Sequence, residues 1–367
     1  MAKPGGTPRK SSGAVVPPIE LSTTFVREAD GSFASGYLYT RHSNPNRAQL
    51  EAALCTLEHG AEALSFASGM AASMAALLAL QSGDHLILPR ECYHGTLSLV
   101  HEIFPRWGLA YSLVDMTDID AIKGALTPRT KMLWIETPSN PCLRLSDLAA
   151  IAELAHTHGA YALCDNTVAS PLNQNPLLLG CDVVLHSTTK YINGHSDVLG
   201  GALVTRERGP LAERLRTIQV CGGGVPAPFD CWLTSRSLAT LNLRVREQNA
   251  SALKIAEFLQ QHANVTHVHY PWLPSHPQYD LARTQMRGGG GVVSFQVKGG
   301  ERAAQKFVAQ VQNIHRATSL GGVETLIEHR ASMEREDTPT PRDLVRISVG
   351  LESTQDIIDD LAKAFSV

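Results

Sequence analysis

Short apolar runs alternate with helical patterns between about residues 61 and 205, and this alternation restricts the possible folds more than any other feature of the chain. It is typical of parallel strands that are joined by helices. The predicted strands lie at residues 63–66, 85–88, 110–114, 131–135, 161–164, 183–186 and 201–204. The clearest connecting helix is predicted at residues 145–158, with Ser146 as its N-cap. We therefore predict an α/β domain with a mostly parallel central sheet and helices on both faces.

The pattern changes after Val220. A stretch rich in glycine and proline, residues 222–228, leads into a long helical pattern around residues 237–261. Beyond it we expect strands at residues 265–270, 292–297 and 344–349 and helices at residues 301–312 and 354–365. The prediction is therefore an α/β domain over residues 46–230, followed by a C-terminal α+β domain over residues 231–367.

The N-terminal segment, residues 1–45, shows little periodicity but contains several aromatic side chains, together with the pair Tyr39 and Arg41. A segment that cannot bury its own apolar groups often buries them against a neighbouring subunit. We expect this segment to reach the adjacent subunit of a homo-oligomer.

The charge of the chain indicates small-molecule chemistry. It has 32 basic and 35 acidic residues, a net charge of -3 and no block of like charge, so neither nucleic acid nor an anionic membrane is an expected partner. Residues 1–13 lack the apolar core of a signal peptide, and no run has the length and hydrophobicity of a membrane span. The seven cysteines are scattered without a C-x-x-C pair, which argues against a disulfide framework and against a metal site. We expect a cytoplasmic protein without a bound metal.

Residues that could bind or react with a ligand follow most of the predicted strands. They are Ser68, Gly69 and Met70 after the first, Tyr93 after the second, Asn140 after the fourth, Asp165 and Thr167 after the fifth, and Ser187, Thr189 and Lys190 after the sixth. In open α/β sheets, ligands bind at the carboxyl ends of the strands. A lysine amine can form an imine with a carbonyl cofactor, a helix N-terminus suits a phosphate, and an acid can keep a pyridinium nitrogen protonated. The set therefore indicates pyridoxal 5'-phosphate (PLP), with the ring of Tyr93 stacked on the cofactor.

The most specific motif is the segment from Ser187 to Asp197, Ser-Thr-Thr-Lys-Tyr-Ile-Asn-Gly-His-Ser-Asp. Further motifs lie at residues 39–41, 66–70, 136–141, 165–167, 319–322 and 344–350. In this order, and over nearly the whole chain, they resemble the Cys/Met-metabolism family of PLP-dependent enzymes. That family includes cystathionine γ-synthase, cystathionine γ- and β-lyases, methionine γ-lyase and O-acylhomoserine sulfhydrylases. The resemblance implies the type I fold of PLP-dependent transferases, which is the fold of aspartate aminotransferase.

The resemblance also implies a role for each motif residue. Lys190 would form the internal aldimine and move protons, and Tyr93 would stack on the ring and act as an acid–base group. Asp165 would pair with the pyridine nitrogen. The cofactor-binding set would be Tyr39, Arg41, Ser68, Gly69, Met70, Tyr93, Asp165, Thr167, Ser187, Thr189 and Lys190, and the substrate-binding set would be Asn140, Ser319 and Arg346. Tyr39 and Arg41 would come from the adjacent subunit, which implies a homotetramer that is a dimer of dimers with active sites at the subunit interface.

The substrate is less well defined than the cofactor. Ser98 and Thr318 occupy positions where cystathionine-handling relatives often have an arginine and a glutamate. The missing charges favour a small or uncharged distal end of the substrate, although cystathionine stays open. His94, Arg330 and Glu334 also depart from the family pattern, and we expect Arg330 and Glu334 to shape the mouth of the pocket.

The predicted reaction is α,γ- or α,β-elimination from a sulfur amino acid, namely cystathionine, methionine, homocysteine or cysteine, by a carbon–sulfur lyase. The alternative within the family is γ-replacement on an O-acylhomoserine, as in a cystathionine γ-synthase or a sulfhydrylase. Outside it, the alternatives are an aminotransferase and a PLP-binding protein without turnover. The intact set of Lys190, Asp165, Tyr93 and Arg346 disfavours the protein without turnover.

Overall fold

The first sheet of the protein has seven strands in the order β1-β7-β6-β5-β4-β2-β3. The structure, a computed structural model, describes residues 13–333 and 339–366. The strands are β1 (Glu62–Phe66), β2 (His85–Pro89), β3 (Ala110–Val114), β4 (Thr130–Glu136), β5 (Tyr161–Asp165), β6 (Val183–His186) and β7 (Gly201–Thr205). Each predicted strand is present to within one residue at either end, so the prediction of an α/β domain is confirmed.

Helices cover both sheets of the protein. The α-helices are α1 (Pro45–Glu58), α2 (Gly69–Leu78), α3 (His94–Ser98), α4 (Ile119–Ala125), α5 (Leu148–Thr157), α6 (Ser170–Asn173), α7 (Pro210–Gly222), α8 (Pro228–Ser237), α9 (Leu241–Gln261), α10 (Tyr279–Gln285), α11 (Glu301–Gln310) and α12 (Thr354–Phe365). Short 3-10 helices lie at Phe104–Trp107, Pro176–Leu179, Leu238–Thr240 and Arg330–Met333, and a π-helical turn lies at Leu99–Ile103.

Successive residues of a strand point to opposite faces of the sheet, and helices bury both faces of the first sheet. Leu86 and Leu88 of β2 belong to the same hydrophobic cluster as Ala76 of α2. Ile87, between them in the strand, belongs to the cluster of Ile151 on α5. Helices on both faces therefore leave the carboxyl edge of the sheet as the place where polar groups can gather.

Strand β7 is the exception to the parallel arrangement. It pairs antiparallel with both β6 and β1, so that Leu203 lies opposite Leu185 on one side and Leu64 on the other. The remaining neighbours, from β6 across to β3, pair in parallel. The sheet is therefore mostly parallel, as predicted, with one reversed strand.

Helix α5 begins three residues later than predicted. Its N-cap is Asp147, whose Oδ1 accepts the backbone N–H of Ala150 at 3.0 Å, so the prediction of Ser146 as N-cap is wrong. The backbone N–H of Ser146 instead donates to the hydroxyl of Thr137 at 3.1 Å. Both residue types cap helices well, and the position of the carboxylate decides between them.

The second sheet has five strands in the order β10-β11-β12-β9-β8. They are β8 (Val265–His269), β9 (Val292–Val297), β10 (His315–Arg316), β11 (Leu326–His329) and β12 (Leu344–Ser348). Phe295 and Ile347 of this sheet share a core with Ile255 of α9, Phe307 of α11 and Leu361 of α12. The C-terminal part is therefore an α+β unit, as predicted.

The long helical pattern around residues 237–261 is not one helix. Helix α8 and a 3-10 turn precede α9, which starts at Leu241. Cys231 of α8 packs with Leu50 and Leu54 of α1, so α8 shares a hydrophobic cluster with the α/β domain. The domain limits at residues 45 and 230 stay a prediction.

The segment before α1 carries little regular structure. Over residues 13–44, one isolated bridge joins Thr24 and Tyr39. Val15 and Val26 are 88% and 84% exposed, which suits a segment that packs on another chain. None of the helices among the described residues combines the length and the hydrophobicity that crossing a membrane requires.

Candidate active site

One cavity of about 430 Å³ lies at the carboxyl ends of β4, β5 and β6. Its lining includes twelve of the fourteen residues that the sequence predicts for the site: Ser68, Gly69, Met70, Tyr93, Asn140, Asp165, Thr167, Ser187, Thr189, Lys190, Ser319 and Arg346. Residues from both domains therefore meet at the sheet edge where ligands of this fold class bind. We call this space the lysine cavity.

Lys190 lies just after β6, and its Nζ donates a hydrogen bond to the hydroxyl of Ser319 at 2.7 Å. Burial, together with the positive charge of Arg346, lowers the pKa of the Lys190 amine to about 8. A lysine amine with a lowered pKa is a better nucleophile near neutral pH, because a larger share of it is unprotonated. The residue therefore has the chemistry that covalent attachment of an aldehyde cofactor requires.

Two carboxyl groups, one buried and one half-buried, lie side by side at this edge of the sheet. Asp165 ends β5 and Glu136 ends β4, and the two residues are directly paired in the register of the parallel strands. Burial raises the pKa of Asp165, against the opposing effect of hydrogen bonds from Thr167. A cofactor that brings a protonated pyridine nitrogen would supply the positive partner that a buried carboxylate needs.

Glu136 also joins two loops of the site. Its Oε2 accepts the backbone N–H of Tyr93 at 2.8 Å, and its Oε1 accepts the backbone N–H of Asn140 at 3.3 Å. Burial and the neighbouring Asp165 raise the pKa of Glu136 to about 8. The sequence motif contains this residue, but its role went unassigned because it depends on the register between β4 and β5.

The part of the lysine cavity that Ser68, Gly69 and Ser187 line suits a phosphate group. Ser68 is the N-cap of α2, and its hydroxyl accepts the backbone N–H of Ala71 at 3.0 Å. A Cβ on Gly69 would lie 3.0 Å from the Cβ of Ser187 and 3.1 Å from its Oγ, so any larger residue would crowd this end. The N-terminus of a ten-residue helix beside the hydroxyl of Ser187 is an arrangement that binds anions.

Two threonines complete this region through contacts with the backbone. The hydroxyl of Thr167 accepts the N–H of Ser187 at 2.9 Å, which holds the end of β5 to the end of β6. The hydroxyl of Thr189 accepts the N–H of Gly200 at 3.0 Å. An amine, a carboxyl pair and a phosphate end thus occupy one cavity, and together they fit PLP.

Arg346, on β12, is 3% exposed, and its guanidinium has the chemistry to bind a carboxylate. Its Nη1 donates to Oδ1 of Asn140 at 2.7 Å, and its Nη2 donates to the carbonyl oxygen of Ser319 at 2.8 Å. The three residues predicted to bind substrate are therefore in direct contact. Nη2 also lies 2.5 Å from Oε1 of Glu328, a residue of β11 that faces Arg346 across the antiparallel pair and that sequence reasoning missed. A glutamate within a buried, otherwise mostly apolar strand was the available signal.

Tyr39 and Arg41 lie outside the lysine cavity of their own chain. Nη1 of Arg41 donates to the carbonyl oxygen of Val220 at 2.8 Å, and its guanidinium carbon lies 5.8 Å from the centroid of the Tyr39 ring. This placement leaves both side chains for a neighbouring subunit, and their role stays a prediction.

A second cavity of about 460 Å³ adjoins the lysine cavity, and we call it the adjoining cavity. Ser98 lines the adjoining cavity and Thr318 lines the lysine cavity, whereas His94 and Arg330 line both. Glu334 lies outside the described residues. Among the residues that the structure describes, no group of three or more His, Cys, Asp or Glu side chains is placed to hold a metal ion.

The chain is similar to known proteins over nearly its whole length. A family model described as "Cys/Met metabolism PLP-dependent enzyme" matches residues 1–366. The cystathionine gamma-synthase of Mycobacterium tuberculosis is 49% identical over 366 residues, which cover 98% of this chain and 94% of that protein. The cystathionine gamma-lyase of Sus scrofa is 42% identical over 363 residues, 96% of this chain and 89% of that protein. The crystal structure of metB from Corynebacterium glutamicum matches with a TM-score of 0.96 at 42% identity, and the match covers 100% of this chain and 96% of that one.

Proposed function

The chain belongs to the Cys/Met-metabolism family of PLP-dependent enzymes, and from that premise we propose that it catalyses γ-replacement on an O-acylhomoserine. In this reaction the Cγ–O bond breaks and the acyl group leaves as a carboxylate. The Cγ–S bond to an incoming thiol forms as the thiol loses its proton. The products are a sulfur amino acid, cystathionine when the thiol is cysteine, and a carboxylic acid.

The observation that supports replacement over elimination is the pattern of identity among relatives. The relatives named cystathionine gamma-synthase reach 49% identity over 98% of the chain, whereas those named gamma-lyase or beta-lyase reach 41% to 42%. All of these relatives act on sulfur amino acids with PLP. The assignment of PLP-dependent sulfur amino-acid chemistry is therefore the same for replacement and for elimination.

When bound, PLP supplies an electron sink that stabilises the negative charge left at Cα after the α-proton is removed. The chain supplies the binding and the proton transfer. Lys190 would hold the cofactor through Nζ, Asp165 would face its pyridine nitrogen, and the N-terminus of α2 with Ser187 would bind its phosphate. These assignments are part of the proposal.

The substrate would be oriented by Arg346. The guanidinium offers a planar pair of donors to the α-carboxylate, and its contacts with Asn140 and Ser319 fix its orientation before substrate arrives. The hydroxyl of Ser319 also accepts from Nζ of Lys190. The amine is thereby held next to the carboxylate anchor, where it can take the proton from Cα and return it to a neighbouring carbon.

A homo-oligomer and a reducing compartment such as the cytoplasm belong to the same proposal. Arg41 and Tyr39 lie outside the lysine cavity of their own chain, which supports a shared site at a subunit interface within a dimer of dimers. All seven cysteines are free thiols, as is usual where disulfides do not persist.

Elimination is the second candidate, and one observation favours it. Ser98 and Thr318, which line the two cavities, bring no charge for the distal end of a substrate. A small substrate such as methionine or homocysteine would need none.

The test is a purified, PLP-loaded protein supplied with O-acetyl- or O-succinylhomoserine, with and without cysteine. We expect cystathionine to form in the presence of cysteine and little α-keto acid to form in its absence. α-Keto acid from cystathionine, methionine or homocysteine as the main product would establish elimination instead. Stoichiometric conversion of an added α-keto acid to an amino acid would identify an aminotransferase, and a chromophore without any turnover would identify a silent binder.

A further inference from the structure

The lysine cavity and the adjoining cavity share four lining residues, Tyr93, His94, Asn140 and Arg330. Arg330 is the one member of this border with a permanent charge. A substrate whose α-carboxylate lies on Arg346 has its reacting end near Lys190, and any longer distal part must pass this border to enter the adjoining cavity. Residues at this border could therefore discriminate between substrates by the group that each carries beyond Cγ.

Arg330 lies at the border in a largely buried position. It is the first residue of the 3-10 helix that follows β11, and its side chain is 10% exposed. Its Nη1 lies 3.0 Å from Oε1 of Glu328, the same oxygen that Nη2 of Arg346 approaches to 2.5 Å. One carboxylate thus contacts two guanidinium groups, that of Arg346, which lines the lysine cavity, and that of Arg330, which lines both cavities.

The adjoining cavity can receive a charged group. Arg90, Glu91 and Glu102 also line it, and Glu91 is already paired with Arg144 at 3.4 Å. A guanidinium has five N–H donors in a fixed fork, so a single arginine can contact more than one carboxylate. In a largely buried position such an interaction is stronger than at an exposed surface, because water screens it less.

We propose that Arg330 is a specificity-determining residue that binds a second carboxylate of the reactants, one that lies beyond Cγ in the adjoining cavity. This inference rests on the proposed function and narrows its substrate class. It replaces the expectation of an uncharged distal end, since Arg330, just after β11, would supply the cation that Ser98 lacks. The carboxylate has two chemical sources: a dicarboxylic acyl group on the homoserine, or the amino-acid end of the thiol.

Four substrate pairs separate these sources, combining O-acetyl- or O-succinylhomoserine with sulfide or cysteine. In Arg330→Gln we expect kcat/KM to fall roughly 10- to 100-fold for pairs that carry the second carboxylate and to be unchanged for O-acetylhomoserine with sulfide. A loss confined to the succinyl pairs assigns the leaving group, and a loss confined to the cysteine pairs assigns the thiol. Arg330→Lys, which keeps the charge but not the fork, should give an intermediate loss.

Arg302→Gln is the matched control, because it removes the same charge from an exposed position on α11. It should behave as wild type on all four pairs. Equal losses in Arg330→Gln across the four pairs, or no loss in any, would overturn the proposal.

A binding titration measures the effect of Arg330 on ligand affinity independently of turnover. Cystathionine and methionine are titrated against the PLP-loaded protein while the absorbance of the cofactor is followed. Arg330→Gln should raise Kd for cystathionine roughly 10-fold and leave Kd for methionine unchanged. Wild-type protein that is inactive on all four pairs would remove the proposed function, and the titration alone would then decide the role of Arg330: equal shifts for both ligands, or none, would contradict it.

Discussion

The Nζ of Lys190 lies 2.7 Å from the hydroxyl oxygen of Ser319, although 129 positions separate the two residues in the chain. Lys190 follows a strand of the α/β domain, whereas Ser319 belongs to the C-terminal part and has a backbone φ of 91°. A non-glycine residue in this conformation is uncommon, and here the carbonyl oxygen of Ser319 is held by Arg346. The amine of Lys190 and the guanidinium of Arg346 are therefore joined through one residue, Ser319.

The lowered pKa of Lys190 makes attachment of the cofactor dependent on pH. Below about 8 the amine is mostly protonated and cannot attack an aldehyde, and above it the neutral form dominates. The rate at which apoprotein takes up PLP, followed by absorbance, should rise through about pH 8 and level off above it. A rate that continues to rise toward 10.5, the ordinary value for lysine, would show that burial does not lower the pKa.

Glu136→Gln should disturb the stacking tyrosine and the substrate amide together. A glutamine has one acceptor oxygen in place of two, so the backbone N–H of either Tyr93 or Asn140 must face an NH₂ group. We expect the free energy of unfolding to fall by roughly 1–3 kcal/mol, kcat/KM to fall and the absorption of the bound cofactor to shift. Glu153→Gln, on the exposed side of α5, is the control. A variant that loses stability but keeps its kinetic constants and its spectrum would limit Glu136 to a structural role.

Arg346→Lys should weaken substrate binding more than it slows chemistry. Lysine keeps the positive charge but loses the planar fork that contacts Asn140 and Ser319 while presenting donors to a carboxylate. Steady-state kinetics should show KM raised roughly 10- to 100-fold with a smaller change in kcat. An unchanged KM would show that the substrate carboxylate binds elsewhere.

Subunit mixing tests whether Arg41 serves the neighbouring site. Lys190→Ala and Arg41→Ala should each be nearly inactive alone. If each site combines Lys190 of one subunit with Arg41 of the next, co-expression of the two variants yields some dimers with one intact site. Random pairing would then restore about a quarter of wild-type activity. Activity no higher than that of the separate variants would place Arg41 in its own subunit's site or in none.

The positions of the strands could be predicted because buried parallel strands give short, almost wholly apolar runs bounded by turns. Their directions could not, since a run such as residues 201–205 has the same pattern in either orientation. The prediction for α5 placed the helix but not its cap, because Ser146 and Asp147 are both good capping residues and only their hydrogen bonds distinguish them.

The site shows a similar division. Residues at or shortly after the ends of strands, such as Asp165 and Lys190, could be predicted as a group because parallel strands bring their carboxyl ends together. Glu136 and Glu328 act through register, across β4–β5 and β11–β12, and that pairing is not visible in a single sequence. Arg330 was recognisable as a departure from the family pattern, but its position between two cavities required the structure.

We expect one amine, that of Lys190, to hold the cofactor. Borohydride reduction of the PLP-loaded protein, followed by proteolysis and mass spectrometry, should place a single pyridoxyl phosphate group on Lys190, and Lys190→Ala should carry none at stoichiometric yield. A label on another lysine, or protein that stays colourless after incubation with PLP, would contradict the account.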